Sequence, residues 1–138
     1  MATRADTDKD VSDLLVQLVG VMRQQFMAVA ADLDLTPPQL GVLKHLVEPI
    51  PMSRLAGEMH CDASNITWMT DRLEERGLVE RRPDPLDRRV KQLVLTEAGQ
   101  RLRRQIDRRL GTKFPGLDRL SGEERQTLAR LLSRLLDA

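Results

Sequence analysis

From Val11 to Val29 the apolar residues Leu14, Leu15, Leu18, Val21, Met22, Phe26 and Val29 recur at helical spacing. The stripe is wide and predicts a long first helix with a broad apolar face. Such a face on a terminal helix needs a cover, which a second subunit would supply. Residues 1–9 are polar and read as a frayed terminus. Thr36-Pro37-Pro38-Gln39 reads as a helix start. Threonine caps, proline suits the first helical position, and Gln39 reaches back as in a capping box. Leu40, Leu43 and Leu46 carry a short second helix, broken by Glu48-Pro49-Ile50-Pro51. Leu55, Ala56 and Met59 mark a third short helix. After the tight connection His60-Cys61-Asp62, Asp62 is placed to cap a fourth helix, where its charge also suits the helix dipole. That helix runs from Ala63 to about Arg76. It has a narrow buried stripe of Ile66, Met69 and Leu73, and Gly77 stops it.

The period then changes. Leu78 to Arg82 is strand-like, Pro83 to Arg89 is a turn-rich basic tip, and Val90 to Thr96 is a second strand. Together they predict a β-hairpin with a long loop. Thr96-Glu97-Ala98-Gly99 opens another helix through Leu102, Ile106 and Leu110, and the stretch from Lys113 to Gly116 breaks it. Ser121-Gly122-Glu123-Glu124 caps a last helix carrying Leu128, Leu131, Leu132, Leu135 and Leu136. The expected fold is mainly α with a small β-hairpin.

Charge sharpens this picture. The formal net charge is only +1. Between Arg72 and Arg109, however, 12 basic residues stand against 7 acidic ones, whereas from Met1 to Asp71 there are 5 against 10. A basic block in a neutral chain attracts polyanions, through counterion release if the anion is DNA. The plainer alternative is a solvated, salt-bridged helix surface. Aromatic residues are 2% of the chain, too few for the stacking platforms of a typical single-stranded RNA reader. One cysteine excludes an intrachain disulfide framework. No apolar stretch approaches about 20 residues, so no membrane-spanning helix is expected. No apolar run follows a basic start, so no signal peptide is expected and a cytoplasmic location is the default.

Two short helices joined by a tight turn, the second with a polar outer face, make a helix-turn-helix, and a basic hairpin directly after it makes a wing. The helix from Ala63 fits a major groove, where short polar side chains reach base edges. Arginines at a hairpin tip can lie along the backbone or enter the minor groove, whose negative potential favours them.

The stretches Asp62-Ala63-Ser64-Asn65-Ile66-Thr67, Asp71 to Arg81, Asp84-Pro85-Leu86-Asp87-Arg88-Arg89 and Leu95-Thr96-Glu97-Ala98-Gly99, in this order and spacing, resemble the MarR (multiple antibiotic resistance regulator) family. The resemblance covers about Leu35 to Gly99. It implies a winged helix-turn-helix lobe over 35–99, a dimerisation helix over 10–34 and C-terminal dimerisation helices over 100–138. It also implies a homodimer that binds a pseudo-palindromic duplex DNA operator, a repressor, and release by a phenolic or amphipathic effector lodged between the lobes. The implied DNA contacts are Ser64, Asn65, Thr67, Trp68, Asp71 and Arg72 on the recognition helix, and Arg82, Asp87, Arg88, Arg89 and Lys91 on the wing. The family's Asp-x-Arg element falls on Asp87 and Arg89, the arginine entering the minor groove and the aspartate holding it.

Several residues carry two readings. Trp68 falls off the buried stripe, either to touch thymine methyls or sugar, or to pack on the wing or the preceding helix. Asp71 and Arg72 also fit an ordinary surface pair, and the arginines from Arg101 to Arg109 a solvated helix face. Cys61, in the helix-turn-helix connection, reads as a buried inert thiol rather than a redox sensor. His60 stands at a turn position where a positive φ would strain it. With His45 it makes no metal-ligand spacing. No catalytic constellation and no cofactor motif is present, so an enzyme is not expected. A protein-interaction module, or an architectural or RNA-binding protein reading backbone alone, are the rival functions.

Overall fold

The computed structural model of the chain describes residues 1, 3–111 and 114–137. Helix α1 spans Arg4–Asp32, α2 Pro37–His45, α3 Met52–Glu58, α4 Ala63–Glu75, α5 Glu97–Leu110 and α6 Gly122–Leu136. Strands β1 (Ile50–Pro51), β2 (Val79–Pro83) and β3 (Lys91–Leu95) form one antiparallel sheet in the order β1-β3-β2. A mainly helical winged fold is therefore what the chain adopts.

The caps explain most of the boundaries. Thr36 accepts from the Gln39 N–H at 3.3 Å while the Gln39 side chain accepts from the Thr36 N–H at 3.0 Å, closing the expected box. Ser121 and Glu124 close the same box on α6. A third box was not anticipated. Thr3 and Asp6 cap each other reciprocally, so α1 starts at Arg4 rather than where its apolar stripe begins. Gly77, at φ 69°, turns the chain out of α4 as expected. α5 ends at Leu110, with Gly111 at φ 70°. Lys113, where the break after α5 was expected to start, lies outside the described residues. His60 has φ 51°, the left-handed conformation anticipated for that turn; Asp34, at φ 55°, adopts it too.

Leu40, Leu43, Leu55, Ile66, Leu73, Leu93 and Ile106 are fully buried, so α2, α3, α4, β3 and α5 meet in one core. Each such side chain is worth about 1.5–3 kcal/mol by transfer alone. The Glu48–Pro51 stretch, expected only as a break, also contributes strand β1, with Ile50 opposite Leu93 and Pro51 opposite Gln92. Two residues are too few to show alternation, and Pro51 is tolerated because β1 is an edge.

α5 leaves the sheet at an unusually close approach. Thr96 accepts from the Gly99 N–H at 3.0 Å and donates its hydroxyl to the Gly77 carbonyl at 2.6 Å. This pulls the first turn of α5 onto Leu78, where a Cβ on Gly99 would lie 1.9 Å from the Leu78 carbonyl oxygen.

α1 leaves most of its broad apolar stripe uncovered. It enters the core only near its end, through Val29 and Ala30, while Leu14, Val16, Leu18, Val19, Val21, Met22 and Met27 are exposed. It contains an 18-residue window of mean hydropathy 1.4, long and apolar enough to cross a membrane by length and composition. This corrects the expectation that no such segment exists. Gln17, Arg23, Gln24 and Gln25 interrupt every short run, so the apolar character emerges only when averaged over the helix.

Candidate nucleic-acid interface

α4 buries Ile66, Met69, Thr70 and Leu73 and leaves Ser64, Asn65, Thr67, Trp68, Asp71 and Arg72 exposed on its other faces. Its N-cap sets the chemistry of that surface. Asp62 accepts the Asn65 N–H at 2.9 Å and the Ser64 hydroxyl at 2.7 Å. The Ser64 hydroxyl bond first, then the Asn65 N–H bond, hold the Asp62 carboxyl below its ordinary pKa. Thr67 spends its own donor on the Ala63 carbonyl at 2.9 Å. Ser64 and Thr67 therefore present acceptor oxygens, suited to the amino groups of cytosine and adenine in a major groove.

Trp68 is 56% exposed, which places its indole on the outer face rather than packed under the wing. The Arg72 guanidinium sits 5.6 Å from the ring centroid and also pairs with Glu75 at 3.0 Å. Ring and carboxylate together restrict where the guanidinium points.

The wing is tied to α4 by Arg81. One nitrogen donates to Glu74 at 2.8 Å. The other donates to Asp71 at 2.6 Å and to the Thr70 hydroxyl at 2.7 Å. Thr70 is fully buried and donates in turn to the Ile66 carbonyl at 2.9 Å. Asp71, read from sequence as a DNA contact, is thus engaged with Arg81, and Arg81 is committed to α4. Only the fold brings β2 against this helix, so the pairing leaves no signature in sequence spacing.

The wing tip is shaped by two aspartates. Asp84 accepts the Leu86 N–H at 2.7 Å and the Gln92 side-chain amide at 2.8 Å. Asp87 accepts the Arg89 N–H at 3.1 Å and lies 3.5 Å from the Arg89 Nε. Such side-chain-to-backbone bonds hold a turn without strand pairing. Arg88 is exposed and makes no ion pair among the described residues. Lys91 is exposed opposite Pro83, in the last strand pair before the tip loop. Arg82 pairs with Glu80 and lines a cavity of about 410 Å³ between the wing and α5, beside Arg103 and Arg104. It is therefore turned toward the wing root rather than the tip.

A model of the MarR family matches residues 35–91, the stretch that contains α2, the helix-turn-helix and most of the wing. The transcriptional regulator HosA of Escherichia coli is 31% identical over 110 residues, covering 76% of this chain and 80% of its own. The chain belongs to the MarR family. The organic hydroperoxide resistance transcriptional regulator of Bacillus subtilis is 30% identical, with 84% of this chain and 80% of the relative covered. Among solved structures, a MarR family protein from Bacillus stearothermophilus has a TM-score of 0.82 at 27% identity, covering 99% of this chain and 97% of the other. A mutant MarR from E. coli complexed with operator DNA has a TM-score of 0.68 at 25% identity, covering 98% and 99%. The protein is thus a DNA-binding transcriptional regulator of the MarR family, and its helix-turn-helix and wing lie within that family's winged-helix lobe.

Two further features of this MarR-family chain lie outside α4 and the wing. Cys61 is half-buried against the core, with its thiol donating to the Met59 carbonyl at 3.3 Å, so the full burial expected for it is only partly realised. A cavity of about 210 Å³ lies between α1, α2 and the end of α5, lined by Met22, Phe26, Lys44, Leu110 and Phe114. No cluster of three metal-ligating side chains occurs among the described residues.

Proposed function

We propose that two copies of this chain bind a pseudo-palindromic operator and repress the gene it controls. The observation that carries this reading is the pairing of an α4 face of base-sized polar groups with a wing tip whose Arg89 is oriented by Asp87. Ser64, Asn65, Thr67 and Trp68 would read the major groove, with Arg72, Arg88 and Lys91 on phosphates and Arg89 reaching the adjacent minor groove. Asp71 serves by holding Arg81, and Arg82 stabilises the wing root. Dimerisation is supported by the exposed apolar faces of α1 and α6, the latter with Leu131, Leu132, Leu135 and Leu136. Covering them by a second copy answers their cost in water.

An amphipathic effector fits the cavity between α1, α2 and α5, where Lys44 offers one charge among apolar walls. Binding there would favour a lobe arrangement with the wrong groove spacing, and differential affinity for the two arrangements would release DNA. The test is selection from random duplexes followed by sequencing, alongside a measurement of solution mass. A pseudo-palindrome with half-sites about one helical turn apart, retained by a dimer, is expected. Retention without sequence preference would refute the reading and favour backbone-only binding.

A further inference from the structure

α1 ends without a basic residue in its last turn, so nothing on the helix itself answers the partial negative charge of its final carbonyls. The answer comes from the far side of the lobe. Arg76, the C-cap of α4, donates from one guanidinium nitrogen to the Asp34 carbonyl at 2.6 Å and from the other toward the Leu33 carbonyl at 3.4 Å. These carbonyls belong to a turn fastened to α1. Leu33 N–H bonds back to Val29 at 3.1 Å, Asp34 N–H to Ala31 at 3.1 Å and Leu35 N–H to Ala30 at 2.8 Å. Asp34 itself is held at φ 55°. The other end is equally fixed, with Gly77 N–H on Glu74 at 2.9 Å and Leu78 N–H on Leu73 at 3.0 Å.

Arg76 is therefore a strut between two rigid ends, one on α1 and one on the recognition helix. Both helices also pack on α2. That packing is apolar and non-directional, so it resists separation better than it resists sliding. Two charge-assisted bonds from a planar fork fix a direction as well as a distance. Among the described residues no other side chain of α4 bonds to α1 or the turn after it.

We propose that Arg76 is a positioning residue that fixes the half-site spacing this regulator accepts. The proposal rests on the dimeric reading above. If α1 sets the separation of two copies, the angle between α1 and α4 sets where the two recognition helices fall. Successive major grooves are roughly 34 Å apart, so a small change of that angle moves both helices off register.

The experiment uses the full chain, the Arg76→Ala and Arg76→Lys variants, and duplexes carrying the selected operator with its centre native, lengthened by one base pair or shortened by one. The readout is the ratio of Kd values between altered and native spacing, with Tm recorded for each variant. The expected result is that Arg76→Ala lowers this ratio by about threefold to tenfold. Arg76→Lys, which keeps the charge and loses the fork, falls between. If Arg76→Ala does not fold, the lysine variant decides by the same ratio. Equal weakening at every spacing, with the ratio unchanged, would assign Arg76 to a phosphate contact or to stability and overturn the proposal. A wild-type chain with no operator or no spacing preference would instead defeat the dimeric reading itself.

Discussion

Asp87 holds Arg89 twice, accepting its backbone N–H at 3.1 Å and lying 3.5 Å from its guanidinium Nε, while the Arg89 side chain remains 94% exposed. The arginine is thus aimed but not consumed. Arg89→Ala is expected to weaken operator binding about 10- to 100-fold with little change in Tm. Asp87→Ala should cost less, about three- to tenfold, because it removes orientation and leaves the charge. Equilibrium binding by fluorescence anisotropy at fixed salt checks both, and an Asp87→Ala variant that binds as well as wild type would sink the orienting role.

Trp68 covers little of the core, so Trp68→Ala should leave Tm within about two degrees of wild type. Operator affinity should fall about three- to thirtyfold, through the lost contact and through Arg72, whose exposed stacking is worth about 0.5–1 kcal/mol. A large loss of Tm without a loss of affinity would show that the indole is structural.

Arg81 joins two elements that would otherwise meet only by packing. Arg81→Ala should lower stability by about 1–2 kcal/mol, since a half-buried guanidinium with several acceptors is replaced by none. Arg81→Lys should recover only part of this, because an ammonium cannot span Glu74, Asp71 and Thr70 together. Urea unfolding of the three proteins gives the comparison; equal stability of the lysine variant and wild type would exclude a geometric clamp.

Asp62 links the recognition helix to pH. Its folded pKa is lowered from the ordinary 3.8, chiefly by the Ser64 hydroxyl and then by the Asn65 N–H. A depressed carboxylate contributes stability that is fully present above its unfolded value and is lost as pH falls through the folded one. The loss should therefore develop from about pH 4 downward. Asp62→Asn, still a good cap, should match wild type near pH 7 and show a shallower acid decline. Thermal melts across pH 2 to 7 would measure it, and identical acid profiles would rule the cap out as the titrating group.

The elements that rest on local chemistry were legible in the chain. Thr36 with Gln39, Asp62, Gly77 and Thr96 each mark a boundary by bonds made within a few residues, and each boundary lies where they place it. The order of helices, turn and hairpin then pointed to the family. What was missed depends on distance. Strand β1 is too short to have a period. The ties from Arg81 to α4 and from Arg76 to the Asp34 carbonyl join residues 7 to 42 positions apart. The apolar character of α1 was diluted by glutamines spread along it. For the recognition-helix and wing residues, sequence could name the exposed polar set, but not that Ser64 and Thr67 had already spent their donors.

Gly99 touches no part of the proposed DNA surface, yet position 99 has room for only a hydrogen. Every codon change there that alters the amino acid adds at least one carbon where the Leu78 carbonyl stands. A genetic screen for loss of the proposed repression would return position 99 as readily as position 89 and rank them alike. Only the amount of folded protein in the surviving cells would separate a regulator that cannot read its operator from one that was never assembled.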